Sequence, residues 1–205
     1  MDAHTIAEEI LRAEKTLGEA GPYVAIFGSG DLKPDHQYYQ QAYNLALQLS
    51  QSGCSIVTGG GGGIMEAANR GAQEGNGSSV GLCLKLQNYE KQNPFIDEGR
   101  ALEFTSFFSR KATFLKHIKS VIVFPGGLGT LDEVFEVLIA MRAQQIPTLP
   151  CYFIGREFWK GLMKWMKDNV FDGDLAPKEL LNHLILTDCV EEIPPLINQS
   201  ISCSK

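Results

Sequence analysis

No apolar run in this chain approaches the roughly 20 residues that a bilayer-spanning helix requires. Its first residues, Met1-Asp2-Ala3-His4 followed by Glu8 and Glu9, lack the basic start of a secretory leader. A cytoplasmic location and no membrane partner are therefore expected. Cysteine is sparse and unpaired: Cys54, Cys83, Cys151, Cys189 and Cys203 are odd in number and never spaced C-x-x-C. That pattern offers neither zinc spacing nor a disulfide framework, so no metal site is expected and the cysteines read as small core residues. An excess of positive charge is missing too. The formal net charge is −6, which argues against a nucleic-acid partner, because backbone binding neutralises many phosphates with clustered Lys and Arg. Any anion must be caught locally.

Internal repeats, low-complexity segments and linker-like shifts in composition are also absent. With 44% hydrophobic and 20% charged residues, the composition is that of an ordinary globular protein. One domain is expected over residues 1–205, with a helix within 1–20 and a flexible tail at 199–205.

What is present is alternation. Apolar runs of strand length at 23–27, 55–58, 79–84, 102–105, 121–124, 148–154 and 184–187 interleave with helical patterns near 4–18, 35–51, 63–74, 109–119, 130–143, 156–169 and 188–198. Strands such as Val121-Ile122-Val123-Phe124 are apolar at every position, as suits a sheet covered on both faces. The expected fold is α/β: a Rossmann-like, doubly wound, mostly parallel sheet with helices on both faces. In that architecture ligands bind beyond the carboxyl ends of the strands.

Three of those strand ends are rich in glycine: Gly28-Ser29-Gly30, the run Gly59-Gly60-Gly61-Gly62-Gly63, and Pro125-Gly126-Gly127-Leu128-Gly129-Thr130. Each precedes a predicted helix. Glycine lets a ligand approach the main chain, and a helix N-terminus offers unpaired N–H groups with about half a positive charge. A phosphate is the natural guest. None of the three continues as the Walker pattern, since no Lys-Ser or Lys-Thr follows, and the dinucleotide fingerprint is imperfect.

Four acidic or basic residues near these loops each carry two readings. Arg110 and Lys111 follow Ser109, which reads as a helix cap, and put two cations in a first turn where the helix dipole disfavours them; they either share an anion with the glycine amides or are a solvated pair. Glu133 stands three residues after Thr130, the spacing of a capping box, and either caps the helix or stabilises a cationic transition state and directs a water. Glu66, one turn into a helix whose start faces the expected ligand, is either a contact or a solvated acid, and its neighbour Met65 either lines the site or packs in the core. Phe107 and Phe108 either cover a base or simply pack.

Taken together, Thr58 to Ala68, Phe107-Phe108-Ser109-Arg110-Lys111, the P-G-G-L-G-T-L-D-E run from Pro125 to Glu133 and Asn93-Pro94-Phe95 resemble the Lonely Guy family, in its longer bacterial branch. Its members are cytokinin riboside 5′-monophosphate phosphoribohydrolases. The resemblance implies hydrolysis of the N-glycosidic bond of AMP or N6-modified relatives, with Arg110 and Glu133 catalytic and no cofactor. It further implies a nucleoside monophosphate held by Ser29, residues 59–63, Met65, Glu66, Lys111 and residues 126–130, in a homodimer or larger homo-oligomer. Two alternatives stand beside it. The older family description, lysine decarboxylase, would need a Schiff-base lysine for pyridoxal phosphate, and no lysine here is singled out for that. A nucleotide sensor or carrier without catalysis would use the same glycine loops.

Overall fold

Seven parallel strands form one sheet in the order β4-β3-β2-β1-β5-β6-β7. In the computed structural model, which describes residues 2–18, 22–85 and 91–202, these are β1 (Tyr23–Phe27), β2 (Ser55–Thr58), β3 (Ser79–Leu84), β4 (Ala101–Phe104), β5 (Ile118–Val123), β6 (Cys151–Ile154) and β7 (Leu184–Thr187). The helices are α1 (Ala3–Leu17), α2 (Gln37–Gln51), α3 (Ile64–Glu74), α4 (Phe107–His117), α5 (Leu128–Arg142), α6 (Arg156–Trp165) and α7 (Ile193–Ser202).

Alternate side chains along a strand point to opposite faces, and here both directions end in a core. Tyr23, Ala25 and Phe27 of β1 join Val121, Val123 and Phe153 against Phe114 of α4 and Val134 of α5. Val24 and Ile26 join Ile122 and Tyr152 against Leu45 of α2 and Ile64 of α3. The Rossmann-like doubly wound arrangement follows from strands such as β1, β2 and β6 that are buried at every position. Because β1 pairs with both β2 and β5, the chain winds outward in one direction from β1 to β4 and in the other from β5 to β7. A crevice opens at such a reversal, beyond the carboxyl ends of β1 and β5.

Several local expectations are corrected. α4 begins at Phe107 with Ser106 as its cap, the Phe108 N–H donating to Ser106 Oγ at 3.0 Å. Ser109 is no cap but a fully buried residue of the first turn. α5 begins at Leu128, with Gly127 as an N-cap that supplies no side-chain bond, so Thr130 and Glu133 lie inside the helix and form no capping box. β5 starts at Ile118, within the stretch predicted as helix to 119. The helical pattern of 156–169 breaks after Trp165 into a π turn over Met166–Phe171. α7 runs through Ser202, so the expected tail is helical that far, and 203–205, with Cys203, lie outside the described residues, as do 19 and 20 of the N-terminal segment. Of the other cysteines, Cys54 and Cys151 are buried, whereas Cys189 is exposed and is no core residue. No helix among the described residues is long and apolar enough to cross a membrane.

A buried carboxylate ties α1 to the start of α4. Glu9 accepts from the Thr105 N–H and Oγ1, both at 2.7 Å, and from Ser109 Oγ. Burial alone would raise its pKa, but these donors outweigh that and hold it below the usual carboxylate range. A depressed folded-state pKa contributes stability that is present above the unfolded value and lost as pH falls through the folded one. Glu9→Ala is expected to cost about 2–3 kcal/mol at neutral pH, with a smaller difference from the parent in acid, as read from chemical unfolding at several pH values.

Candidate nucleotide site

The crevice at the β1/β5 reversal is a cleft of about 190 Å3. The turn after β1 contributes Gly28 to Asp31, the turn after β2 contributes Gly59, α3 contributes Met65, α4 contributes Phe107 and Arg110, and α5 with its N-cap Gly127 contributes Gly129, Thr130, Asp132 and Glu133. Main-chain bonds lock the turns together: the Ser29 N–H donates to the Pro125 carbonyl and the Ile64 N–H to the Ser29 carbonyl, each at 3.0 Å. Two glycines are dictated by this packing. At Gly59 a Cβ would sit 2.3 Å from Arg110 Nη2. Gly63 has φ +59° and lies on Ser29, whose carbonyl oxygen a Cβ would approach to 2.3 Å.

The start of α5 presents unpaired main-chain donors beside the cleft. A helix begins with N–H groups that have no intrahelical partner, and with Gly127 at the cap no side chain intercepts them. The positive end of the helix dipole points the same way. Thr130 Oγ1 lies over Gly126, where a Cβ would come within 2.1 Å of it.

Arg110 and Glu133 face each other across the cleft. Their side chains are only 8% and 10% exposed, with Arg110 Nη2 3.8 Å from Glu133 Oε1, an ion pair too long to be a hydrogen bond. Arg110 Nε is buried without a hydrogen-bond partner, and the guanidinium stacks 5.6 Å from the Phe114 ring. Burial pushes the Glu133 carboxyl above the usual carboxylate range, against the pull of Arg110. A buried pair with unused hydrogen-bonding capacity is a site that a polar ligand would complete.

The remaining sequence-expected residues stand at varying distances from this centre. Ser29, Gly59, Met65, Gly127, Gly129 and Thr130 share the cleft with Arg110 and Glu133. Gly60 and Gly61 line an adjoining hollow beside Lys85 and Glu103. Gly62 and Glu66 line another beside Asp31 and Asn93, where Glu66 Oε1 accepts from Tyr39 Oη at 2.9 Å. Burial first, and that bond second, push Tyr39 up to about 12, so it remains a donor. Leu128 is 86% exposed. Phe107 lines the cleft, whereas Phe108 turns outward to a hollow between α4 and α5. Asp31 was not singled out from sequence, although its place just after the β1 turn was a usable signal.

Lys111 is outside the cleft. Its Nζ lies 2.7 Å from Asp132 Oδ1 and 3.4 Å from Glu136 Oε2. Burial works against its charge, but these carboxylates outweigh it and hold the ammonium above its usual range. Lys111→Met is expected to lower stability by about 0.5–1 kcal/mol and leave nucleotide affinity within about threefold of the parent, checked by thermal unfolding and calorimetric titration. Among the described residues no group of three or more His, Cys, Asp or Glu is placed to hold a metal ion.

A family model described as "possible lysine decarboxylase" matches residues 65–197, well over half of the chain. The chain belongs to that family, the Lonely Guy proteins. It is similar to the cytokinin riboside 5′-monophosphate phosphoribohydrolase LOG3 of Arabidopsis thaliana, 29% identical over 157 residues that cover 75% of this chain and 72% of the relative. The probable enzyme of that name LOGL5 from Oryza sativa is 31% identical over 158 residues, covering 75% and 63%. The probable Arabidopsis enzyme LOG6 is 31% identical over 102 residues, covering 49% of this chain and only 50% of its own length. In fold the Lonely Guy chain resembles a molybdenum cofactor binding protein from Rippkaea orientalis, with TM-score 0.61, 21% identity and coverage of 86% and 97%. The molybdenum cofactor carrier protein of Chlamydomonas reinhardtii is as close in shape, with TM-score 0.61, 17% identity and coverage of 89% and 99%. The decarboxylase wording of the family model does not fit the cleft, because no lysine among the described residues lines it to carry pyridoxal phosphate.

Proposed function

We propose that this Lonely Guy protein hydrolyses the N-glycosidic bond of AMP or an N6-modified adenosine 5′-monophosphate, releasing the base and ribose 5-phosphate. The observation that carries the reading is the buried Arg110–Glu133 pair, 3.8 Å apart, beside the uncapped start of α5. The phosphate seats on the N–H groups at the start of α5, with Thr130 Oγ1 as a further donor. As the C1′–N bond lengthens, its electron pair leaves with the base and positive charge builds on the ribose. The Glu133 carboxylate stabilises that charge and accepts a proton from the water whose oxygen bonds to C1′, and an equivalent proton reaches the departing ring nitrogen from solvent, so that the base leaves neutral and Glu133 returns to its ionised form by releasing its proton to water. Arg110 keeps Glu133 ionised and donates to the nucleotide. The raised Glu133 pKa gives an acid limb to the rate, since only the ionised carboxylate performs this step.

The test is direct. Purified protein incubated with AMP should yield adenine and ribose 5-phosphate by chromatography. Binding without release would favour a carrier or sensor, and neither binding nor release would sink both readings. We also propose a homo-oligomer: Leu128 and Ile139 lie eleven residues apart on one face of α5 and are 86% and 61% exposed, and Phe108 of α4 is 66% exposed. Sedimentation at micromolar concentration should give at least a dimer.

A further inference from the structure

Five consecutive glycines have no side chains with which to hold a shape, and glycine loses more freedom on ordering than any other residue. The shape of residues 59–63 is imposed from outside. Asn93 grips the loop at two successive peptides: its main-chain N–H donates to the Gly60 carbonyl and its Nδ2 to the Gly61 carbonyl, both at 2.9 Å. In a trans peptide the C=O and the following N–H point in opposite directions. Holding these two carbonyls against Asn93 therefore turns the N–H groups of Gly61 and Gly62 away from it. Among the described residues no protein acceptor meets either of those N–H groups.

The grip is itself braced. Asn93 Nδ2 also donates to Asn69 Oδ1 at 3.0 Å, and Thr58 Oγ1 donates to the same oxygen at 2.6 Å while accepting the Gly60 N–H at 2.9 Å. The Asn69 amide spends its donors on Ser79 Oγ and the Val80 carbonyl, at 2.9 and 3.1 Å. Thr58 and Asn69 have no exposed surface and Asn93 has 4%. With its acceptor and donor capacity filled by protein, Asn69 has none left for a ligand. The network is a frame, and what it frames is a pair of unused main-chain donors.

We infer that Asn93 is a positioning residue beside the nucleotide cleft: it fixes which way the donors of Gly61 and Gly62 face in the two hollows that adjoin the cleft, and through them the affinity for the acceptor atoms of a nucleotide that reaches into those hollows. This rests on the nucleotide reading above. Donors that bind substrate and transition state alike set KM and leave kcat nearly unchanged. Asn93→Ala is accordingly expected to raise KM for AMP about tenfold, the size of one or two net hydrogen bonds, with kcat within about threefold of the parent. The isosteric Thr58→Val, which removes the acceptor for the Gly60 N–H, should move KM the same way, and Thr58→Ser should restore it. A lowered unfolding temperature with parental KM in folded Asn93→Ala would make the network merely structural and overturn the inference. Should Asn93→Ala fail to fold, the Thr58 pair decides by the same readout. A parent protein that neither binds nor cleaves AMP overturns the nucleotide reading and this inference with it, whereas parental turnover with an unmoved KM in the variants overturns this inference alone.

Discussion

Glu133→Gln is expected to slow release of adenine from AMP by about 10²–10⁴-fold, the contribution of a positioned acid or base, with a much smaller loss of nucleotide affinity. The amide keeps the shape of the carboxylate but carries no charge to set against the developing ribose cation and takes no proton from water. Stability should change little. Glu133 is held in the cleft with its pKa raised by burial, so the neutral amide relieves a desolvation cost, but it also leaves the buried Arg110 guanidinium without its counter-charge, and the two effects oppose each other in the unfolding temperature. Were Glu133 a helix cap, the variant would instead lose about 1 kcal/mol and keep its turnover. Geometry already disfavours that role, since α5 starts five residues before Glu133.

Arg110→Met should be nearly as damaging, and its signature is a pH profile. Removing one member of a buried pair commonly costs about 3–5 kcal/mol. Here the loss is capped, because a carboxyl already pushed upward escapes the uncompensated charge by taking a proton. Without the guanidinium the Glu133 pKa rises further, so less of the ionised form is present near neutrality. The acid limb of kcat/KM should shift to higher pH, and at pH 7 kcat/KM should fall at least about 10²-fold as the nucleotide loses its cationic donor too. Stability follows the raised-pKa sign: the contribution is present below the unfolded pKa and lost as pH rises through the folded one. Arg110→Met should therefore be destabilised less in mild acid than at pH 8, the same direction as Glu9→Ala but from the opposite cause, a carboxyl that gains its proton more easily in the variant against one whose favourable bonds are lost on protonation in the parent. Unfolding at the two pH values checks this.

Much of the scaffold was legible because its signals are local. β1, β2 and β3 are apolar runs closed by glycine or a polar turn, and each is found where the pattern places it. The start of β5 differs from the sequence reading because Lys119 and Ser120 are polar and break the apolar run, and the buried, exposed, buried alternation of Ile118, Lys119 and Ser120 that marks a strand is too short to stand out beside the preceding helix. Ser106 and Ser109 are both plausible caps three residues apart, and only the fold decides between them. The Thr130/Glu133 spacing is the same inside a helix as at its start, so spacing alone does not separate a capping box from two residues within α5, and the start at Leu128 does.

The site divides in the same way. The glycine turns and the Arg110–Glu133 pair were legible from motif and spacing, and the sheet order explains why strand ends so far apart in sequence meet at one crevice. Lys111 carried a signal that was overlooked: neighbours on a helix point about 100° apart, so two adjacent cations are poorly placed to serve one small ligand. The Glu9 bonds to Thr105 and Ser109 span 96 and 100 residues, and the Asn93 grip on Gly61 spans 32. No local pattern announces partners at that separation.

The most direct test is a crystal structure of Glu133→Gln soaked with AMP, in which slow turnover preserves the nucleotide. The phosphate should lie on the main-chain N–H groups at the start of α5, with C1′ of the ribose against the side chain at 133 and Arg110 within hydrogen-bonding distance of the nucleotide. A nucleotide bound elsewhere on the sheet edge, or one whose glycosidic bond is beyond reach of both Arg110 and position 133, would contradict the account.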